Sequence, residues 1–222
     1  MDFHNLQHAE PLDAALLATS ITSALLYLIN VRSQPSTSRM LSKTSSTALL
    51  AVLAARRFKP TAPIVPALAL GSLGDAFLAW PGEDNFLRGL TSFLVAHLFY
   101  IALFAQAGGG LEQIWAENWR QGVAGLMLLL APLMGSLLVP RVAAKLRVPI
   151  MVYSTVILGM VFAVLTVRDD VVVLGAVMFA VSDSVLATDE FLVPAGSVHH
   201  GWMQYTVWIL YYTGQLLIAS GF

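Results

Sequence analysis

Eight stretches of mostly apolar residues recur along this chain, each set off by a short polar or turn-forming break. Each is long enough, as a helix, to cross the ~30 Å hydrocarbon core of a bilayer. The pattern predicts membrane-spanning helices at roughly 12–31, 38–56, 61–81, 86–107, 119–139, 147–167, 170–190 and 203–221. The breaks have physical causes. Arg56-Arg57-Phe58-Lys59-Pro60 is basic and ends in proline, Pro81-Gly82-Glu83-Asp84-Asn85 is a turn cluster, and Arg168-Asp169-Asp170 is charged. Gly108-Gly109-Gly110 opens the longest linker, whose Trp115 and Trp119 suit a membrane interface. The second stretch is the weakest, because residues 38–47 are polar.

Composition turns this pattern into a class. Hydrophobic residues make up 57% of the 222 positions, charged residues 11%, and mean hydropathy is +0.74. A soluble domain carries about twice that charge fraction. The expectation is an all-α, polytopic membrane protein forming a single transmembrane domain over 1–222. Its location is multi-pass in a membrane the residues do not identify, the endoplasmic reticulum in a eukaryotic cell. A net charge of -1 gives no argument for nucleic acid. Absence of cysteine excludes disulfides, thiolate metal sites and cysteine nucleophiles. The first 13 residues carry no Lys or Arg, so no cleavable signal peptide is expected and the first helix is read as retained. An even helix count puts both ends of the chain on one side. Loop cations are nearly balanced, with Arg56, Arg57, Lys59, Arg120 and Arg168 on that side and Arg32, Arg39, Arg88, Arg141, Lys145 and Arg147 on the other. That balance fixes no orientation.

Two aspartates stand inside this apolar frame, in Gly74-Asp75-Ala76-Phe77-Leu78-Ala79 and Ser182-Asp183-Ser184-Val185-Leu186-Ala187. A carboxylate at bilayer depth is costly and usually faces a polar cavity, so both are functional candidates. They lie in the third and seventh helices, four spans apart and hence running in the same direction, which fits a four-plus-four parallel repeat. At about 1.5 Å per residue, both sit roughly two thirds of the way towards the side opposite the chain ends, here the far side. Lys43 enters from that side one turn down. His97, Tyr100, Tyr211, Tyr212 and Gln215 fall near mid-membrane. These polar residues can converge in one half of the bilayer, as a pocket open to one leaflet. Gly71 shares a helix face with Asp75, His97 with Tyr100, and Tyr212 with Gln215. Phe93, Phe104, Phe179 and Trp80 would give the pocket a greasy wall.

Each residue also has a plainer reading. Lys43 can snorkel to the interface, His97 can be a hydrogen-bonded interior histidine, and Tyr211 can be packing. Ser182 and Ser184 can bond their own helix backbone, and Asp75 and Asp183 can be structural partners of Lys43. His199-His200 is a loop pair with weak metal-site character.

Gly74-Asp75, Ala96-His97-Leu98-Phe99-Tyr100, Ser182-Asp183 and Tyr211-Tyr212-x-x-Gln215, in that order and with Lys43 ahead of them, resemble the YhhN family of lysoplasmalogenases. The similarity runs from about Lys43 to Gln215. It implies hydrolysis of the vinyl ether bond of lysoplasmalogens to a fatty aldehyde and a glycerophospho-ethanolamine or -choline. The expected partners are then this lysophospholipid substrate and the membrane lipids.

Vinyl ether hydrolysis needs a proton delivered to the β-carbon and an anion to steady the oxocarbenium ion that forms. Two carboxyl groups in a low-dielectric pocket can supply both, one holding a proton while its neighbour is ionised. Asp75 and Asp183 are the expected catalytic pair, titrating as a unit so that neither is singled out as the acid. His97 is expected to orient water or tune the pair, and Tyr100, Tyr212 and Gln215 to hold substrate oxygens. Lys43 is expected at the head group. No cofactor is required. Zinc held by Asp75, His97 and Asp183 is the rival within the enzyme class. A proton-coupled transporter or flippase for a small amphipathic solute is the alternative from another class, because intramembrane Asp, Lys and His also serve proton coupling. A scaffold that only binds partners accounts for neither the matched aspartates nor their shared depth.

Overall fold

The computed structural model describes residues 10–58 and 62–222, and among these the chain is helical with no strand. The polar leader up to residue 9, Lys59, Pro60 and the expected start of the third span at 61 lie outside the described residues. The helices are α1 (Pro11–Asn30), α2 (Thr37–Arg57), α3 (Ile64–Leu78), α4 (Glu83–Ala107), α5 (Glu112–Ala116), α6 (Asn118–Leu138), α7 (Ala144–Val164), α8 (Asp170–Phe191) and α9 (His199–Gly221). Eight are long, and α5 is a single turn in the linker; its Trp115, and Trp119 at the start of α6, are exposed.

Local chemistry sets the ends. Pro11 occupies the first turn of α1, where its missing N–H is no loss. The Ser36 hydroxyl accepts from the Arg39 N–H at 3.3 Å to start α2. Asp169 accepts from the Val171 and Val172 amides to start α8. The turn between α3 and α4 depends on Gly82, whose φ of +112° a side chain would strain. Glu83 and Asp84 belong to the first turn of α4 rather than to that loop, where their charge suits the helix N-terminus.

Five helices are long and apolar enough to cross a membrane by length and composition: α1, α4, α6, α7 and α8. α3 is apolar but spans 15 residues, about 22 Å. α2 and α9 are long enough, but their Ser, Thr, Lys, Arg, His and Gln side chains dilute the apolar character. The expected eight spans are therefore reduced to five by these criteria. The three that fall short carry Lys43, Asp75, Tyr212 and Gln215, so the polar residues of the site themselves weaken the signal.

Packing runs in sequence order within each half, α1 on α2 on α3 on α4 and α6 on α7 on α8 on α9, with α4 against α7 and α2 against α9 joining the halves. Apolar side chains of α1 and α6 face outward, among them Leu25, Leu26, Ile29, Leu126, Leu128, Leu129 and Leu133, as lipid-facing surface should. α8 and α9 approach most closely. A methyl group built on Gly214 would stand 2.6 Å from the Gly175 carbonyl oxygen, so backbone meets backbone there. At the end where the chain leaves α7, fully buried Arg120 donates to the carbonyls of Leu165 (3.0 Å) and Val167 (2.6 Å) and pairs with Asp170. It thereby satisfies carbonyls that the end of a helix leaves open.

Candidate functional site

A cavity of about 450 Å³ opens at the far-side end, where the α1–α2 and α3–α4 connections meet the last turn of α8. Both Asp75 and Asp183 line it. The third and seventh long helices thus turn their acids to one chamber, each in a different setting.

Asp75 is surrounded by donors. Its Oδ1 lies 3.2 Å from Lys43 Nζ, and its Oδ2 accepts from the Tyr211 hydroxyl at 2.8 Å and the Thr47 hydroxyl at 3.2 Å. Lys43 and Thr47 are one helical turn apart on α2, so a single face delivers both. A charged donor and two hydroxyls suit an ionised carboxylate, whose oxygens can only accept. The close approach behind it depends on Gly74, where a Cβ would stand 2.6 Å from the Phe93 ring.

Asp183 has one hydrogen-bonded oxygen and no Lys or Arg partner among the described residues. Its Oδ2 accepts from the Tyr153 hydroxyl at 2.8 Å and lies 3.5 Å from His97 Nε2. His97 Nδ1 is 2.7 Å from the Phe93 carbonyl, which only accepts, so Nδ1 carries the hydrogen and Nε2 presents its lone pair to Asp183. That Nε2 has no hydrogen-bond partner. Ser182 and Ser184, flanking Asp183, bond the carbonyls of Phe179 and Ala180 in their own helix.

The remaining expected residues lie around the chamber rather than on it. Tyr100 donates its hydroxyl to the Gln215 side-chain carbonyl, and both are fully buried. Tyr212 pairs with the Ser20 hydroxyl at 2.8 Å. Of the expected greasy wall, Phe93 and Trp80 line the cavity, while Phe104 and Phe179 are buried beneath it. Phe93, Phe179, Tyr211, His97 and Tyr100 form a continuous aromatic floor with ring centroids 4.6–6.2 Å apart. A smaller apolar pocket of about 70 Å³, walled by Leu90, Met134, Leu138, Ile150 and Ile157, also touches Asp183.

Sequence reasoning passed over two contributors and left a third open. Thr47 was legible, one turn from Lys43. Tyr211 reads in the sequence both as one of the converging polar residues and as packing, and its hydroxyl holds Asp75. Tyr153 gave no signal, since a single tyrosine in an apolar helix has no partner visible in the sequence. His200 is turned to Asp189 (2.7 Å) and the Pro194 carbonyl (3.1 Å). Among the described residues no three His, Asp or Glu side chains converge to hold a metal ion. The zinc set of Asp75, His97 and Asp183 is not assembled, because Asp75 is turned to Lys43.

A family model described as the YhhN family matches residues 38–222. The human protein named lysoplasmalogenase TMEM86B is 30% identical over 156 residues, covering 69% of this chain and 60% of its own length. Bovine lysoplasmalogenase TMEM86A is 28% identical over 162 residues, with 68% and 61% covered. A Mycobacterium bovis lysoplasmalogenase is 30% identical over 167 residues, with 72% and 59% covered. The chain thus spans about 60% of the length of these relatives. No solved structure matches.

Proposed function

Because the chain belongs to the YhhN family, we propose that it hydrolyses the vinyl ether bond of lysoplasmalogens, releasing a fatty aldehyde and a glycerophospho-ethanolamine or -choline. The observation that carries this reading is the unequal setting of two acids on one cavity. Asp75 accepts from three donors and is charge-matched by Lys43, whereas Asp183 keeps an oxygen with no protein partner among the described residues.

In the proposed mechanism Asp183 is the acid. Its Oδ2 is held by Tyr153, leaving Oδ1 to carry the proton into the chamber. The vinyl π electrons take that proton at the β-carbon, and positive charge develops on the α-carbon and ether oxygen. Asp75, ionised and fixed by Lys43, Thr47 and Tyr211, steadies that cation without reorganising, the general advantage of preorganised charge. Water then bonds to the α-carbon and returns a proton to the Asp183 carboxylate. The hemiacetal transfers its hydroxyl proton to the glycerol oxygen, the carbon–oxygen bond breaks, and aldehyde leaves. His97 is fully buried and reaches the chamber only through Asp183, so its part is to position that carboxyl. Tyr100, Tyr212 and Gln215 are support for the floor rather than substrate contacts. The alkenyl chain lies in the apolar pocket that touches Asp183, between α4, α6, α7 and α8.

The contact pattern supports the wider architecture of this reading, with α2, α3 and α9 also crossing the membrane. Exchanging α2 for α7, α3 for α8 and α4 for α9 turns the α2–α9 contact into the α7–α4 contact. Asp75 on α3 is held by residues of α2 and α9, and Asp183 on α8 meets residues of α7 and α4. Each acid is served by the second helix of its own half and the fourth of the other, as a four-plus-four repeat requires. The transporter alternative is weakened by the aromatic floor, whose rings pack against one another beneath the chamber.

Aldehyde release by the purified protein in nanodiscs tests the function, with 1-alkenyl and 1-acyl lysophospholipids offered side by side. The expected result is release from the alkenyl substrate alone, lost in Asp75→Asn and in Asp183→Asn variants that still fold. Wild-type rates in either variant defeat the mechanism, and no release by the wild type defeats the function.

A further inference from the structure

At the mouth of the cavity stands a cation that the proposed reaction leaves unused. Arg39 lies one turn outward from Lys43 on α2 and lines the cavity. Lys43 has its counter-ion in Asp75, but Arg39 has no carboxylate partner among the described residues. Its guanidinium is steered by neutral acceptors, with Nη1 donating to the Ala79 carbonyl (3.3 Å) and Nη2 to the Val31 carbonyl (2.9 Å) and the Tyr27 hydroxyl (3.2 Å). Its Nε is buried with no hydrogen-bond partner among the described residues. A guanidinium held by neutral groups, without a counter-ion, at the edge of a low-dielectric cavity is well suited to bind phosphate.

The same cavity also has acidic lining. Glu83, Asp189 and Glu190 line it, and two of them are engaged, Glu83 with Lys145 Nζ at 3.1 Å and Asp189 with His200. Glu190, in the last turn of α8, is exposed and has no ion-pair partner among the described residues. One mouth thus holds a spare cation on α2 and a spare anion on α8.

We infer that Arg39 and Glu190 form a two-sided clamp selecting a zwitterionic head group, Arg39 taking the phosphate and Glu190 the ammonium. The inference rests on the lysoplasmalogen reading above and moves the phosphate from Lys43 to Arg39. It makes head-group choice a property of the mouth, one turn or more from the acids. A phosphate monoester, lacking the ammonium, meets Glu190 as a like charge and is disfavoured.

Binding separates the clamp from the chemistry. Three non-hydrolysable 1-O-alkyl probes are titrated into the protein in nanodiscs: alkylglycerophosphoethanolamine, alkylglycerophosphate and alkylglycerol. The wild type is expected to bind the first on the order of ten-fold tighter than the second, the scale of one charge-assisted contact. Arg39→Gln is expected to lose about ten-fold for both phosphate-bearing probes and little for alkylglycerol. Glu190→Gln is expected to weaken the phosphoethanolamine probe and to strengthen the monoester. Equal shifts for all three probes, or none, overturn the clamp. Arg39 also ties α1 to α3, so if Arg39→Gln fails to fold, exposed Glu190 decides alone through its reversal of preference. A wild type that discriminates the probes but releases no aldehyde leaves the clamp standing and removes the hydrolase reading. One that releases aldehyde without discriminating removes only the clamp.

Discussion

Gly214 is the position where one methyl group tests the link between packing and the site. The added carbon of Gly214→Ala would lie 2.6 Å from the Gly175 carbonyl oxygen and 3.1 Å from the Phe179 amide nitrogen. Ordinary contact begins near 3.4 Å, so α8 and α9 must part by about 0.8 Å. Neither obstacle is a flexible side chain, so nothing can rotate out of the way. Overpacking of this kind costs about 1–3 kcal/mol. The displacement also reaches the chamber, because α8 carries Asp183 and α9 carries Tyr211, one turn before Gly214, whose hydroxyl holds Asp75 at 2.8 Å. A shift approaching 1 Å in reacting groups lowers rate by up to about 100-fold. Thermal unfolding followed by circular dichroism and kcat for aldehyde release should therefore fall together. Gly122→Ala and Gly125→Ala on α6 are the controls, since a methyl there meets nothing within 4 Å. They should leave stability equal or slightly raised. If Gly214→Ala unfolds and turns over like the wild type, the backbone contact between α8 and α9 does not set the geometry of the site.

Two further outcomes follow from the charges. Lys43→Met leaves the Asp75 carboxylate buried without its cation and should cost about 3–5 kcal/mol, while Lys43→Met combined with Asp75→Asn recovers most of that stability and stays inactive; equal stability of the single and double variants would show that the pair is not coupled. At the start of α6, hydrogen bonding from Arg120 holds the Glu117 carboxyl below its ordinary pKa. A depressed acid stabilises the fold above the unfolded-state value, and that contribution fades as pH falls through the lower folded-state value. Trp119, which donates to Glu117, should report the loss as a fluorescence change on acidification that Glu117→Gln abolishes.

Much of the frame was legible because lipid-exposed helices must be apolar along their whole length. The long helices begin and end within a few residues of the apolar stretches, as with 119–139 against Asn118–Leu138 and 38–56 against Thr37–Arg57. The two acids were legible for the complementary reason: Asp75 and Asp183 stand in otherwise apolar helices, where a carboxyl group has no cheap explanation. What escaped depends on which helix faces which. Tyr153 and Tyr211 look like packing residues until α7 lies beside α8 and α9 beside α2. Tyr100, Tyr212 and Gln215 have the right depth, but depth does not say whether a side chain meets a cavity or another side chain. Arg120 counts as a loop cation in the sequence, yet it is fully buried because the helix end beside it offers carbonyls and Asp170.

On the proposed reading, a cavity that opens at one end of the bundle, above packed rings, makes the reaction sided. Lipid docking from the mouth would then come from the monolayer next to it, and both fragments would return by that route, the oily one to the acyl layer and the water-soluble one to the adjoining compartment. Lysolipid in the opposite monolayer would stay untouched until something else carried it across. The pace of its removal would then belong to whatever scrambles the bilayer, however fast the bond itself is cut.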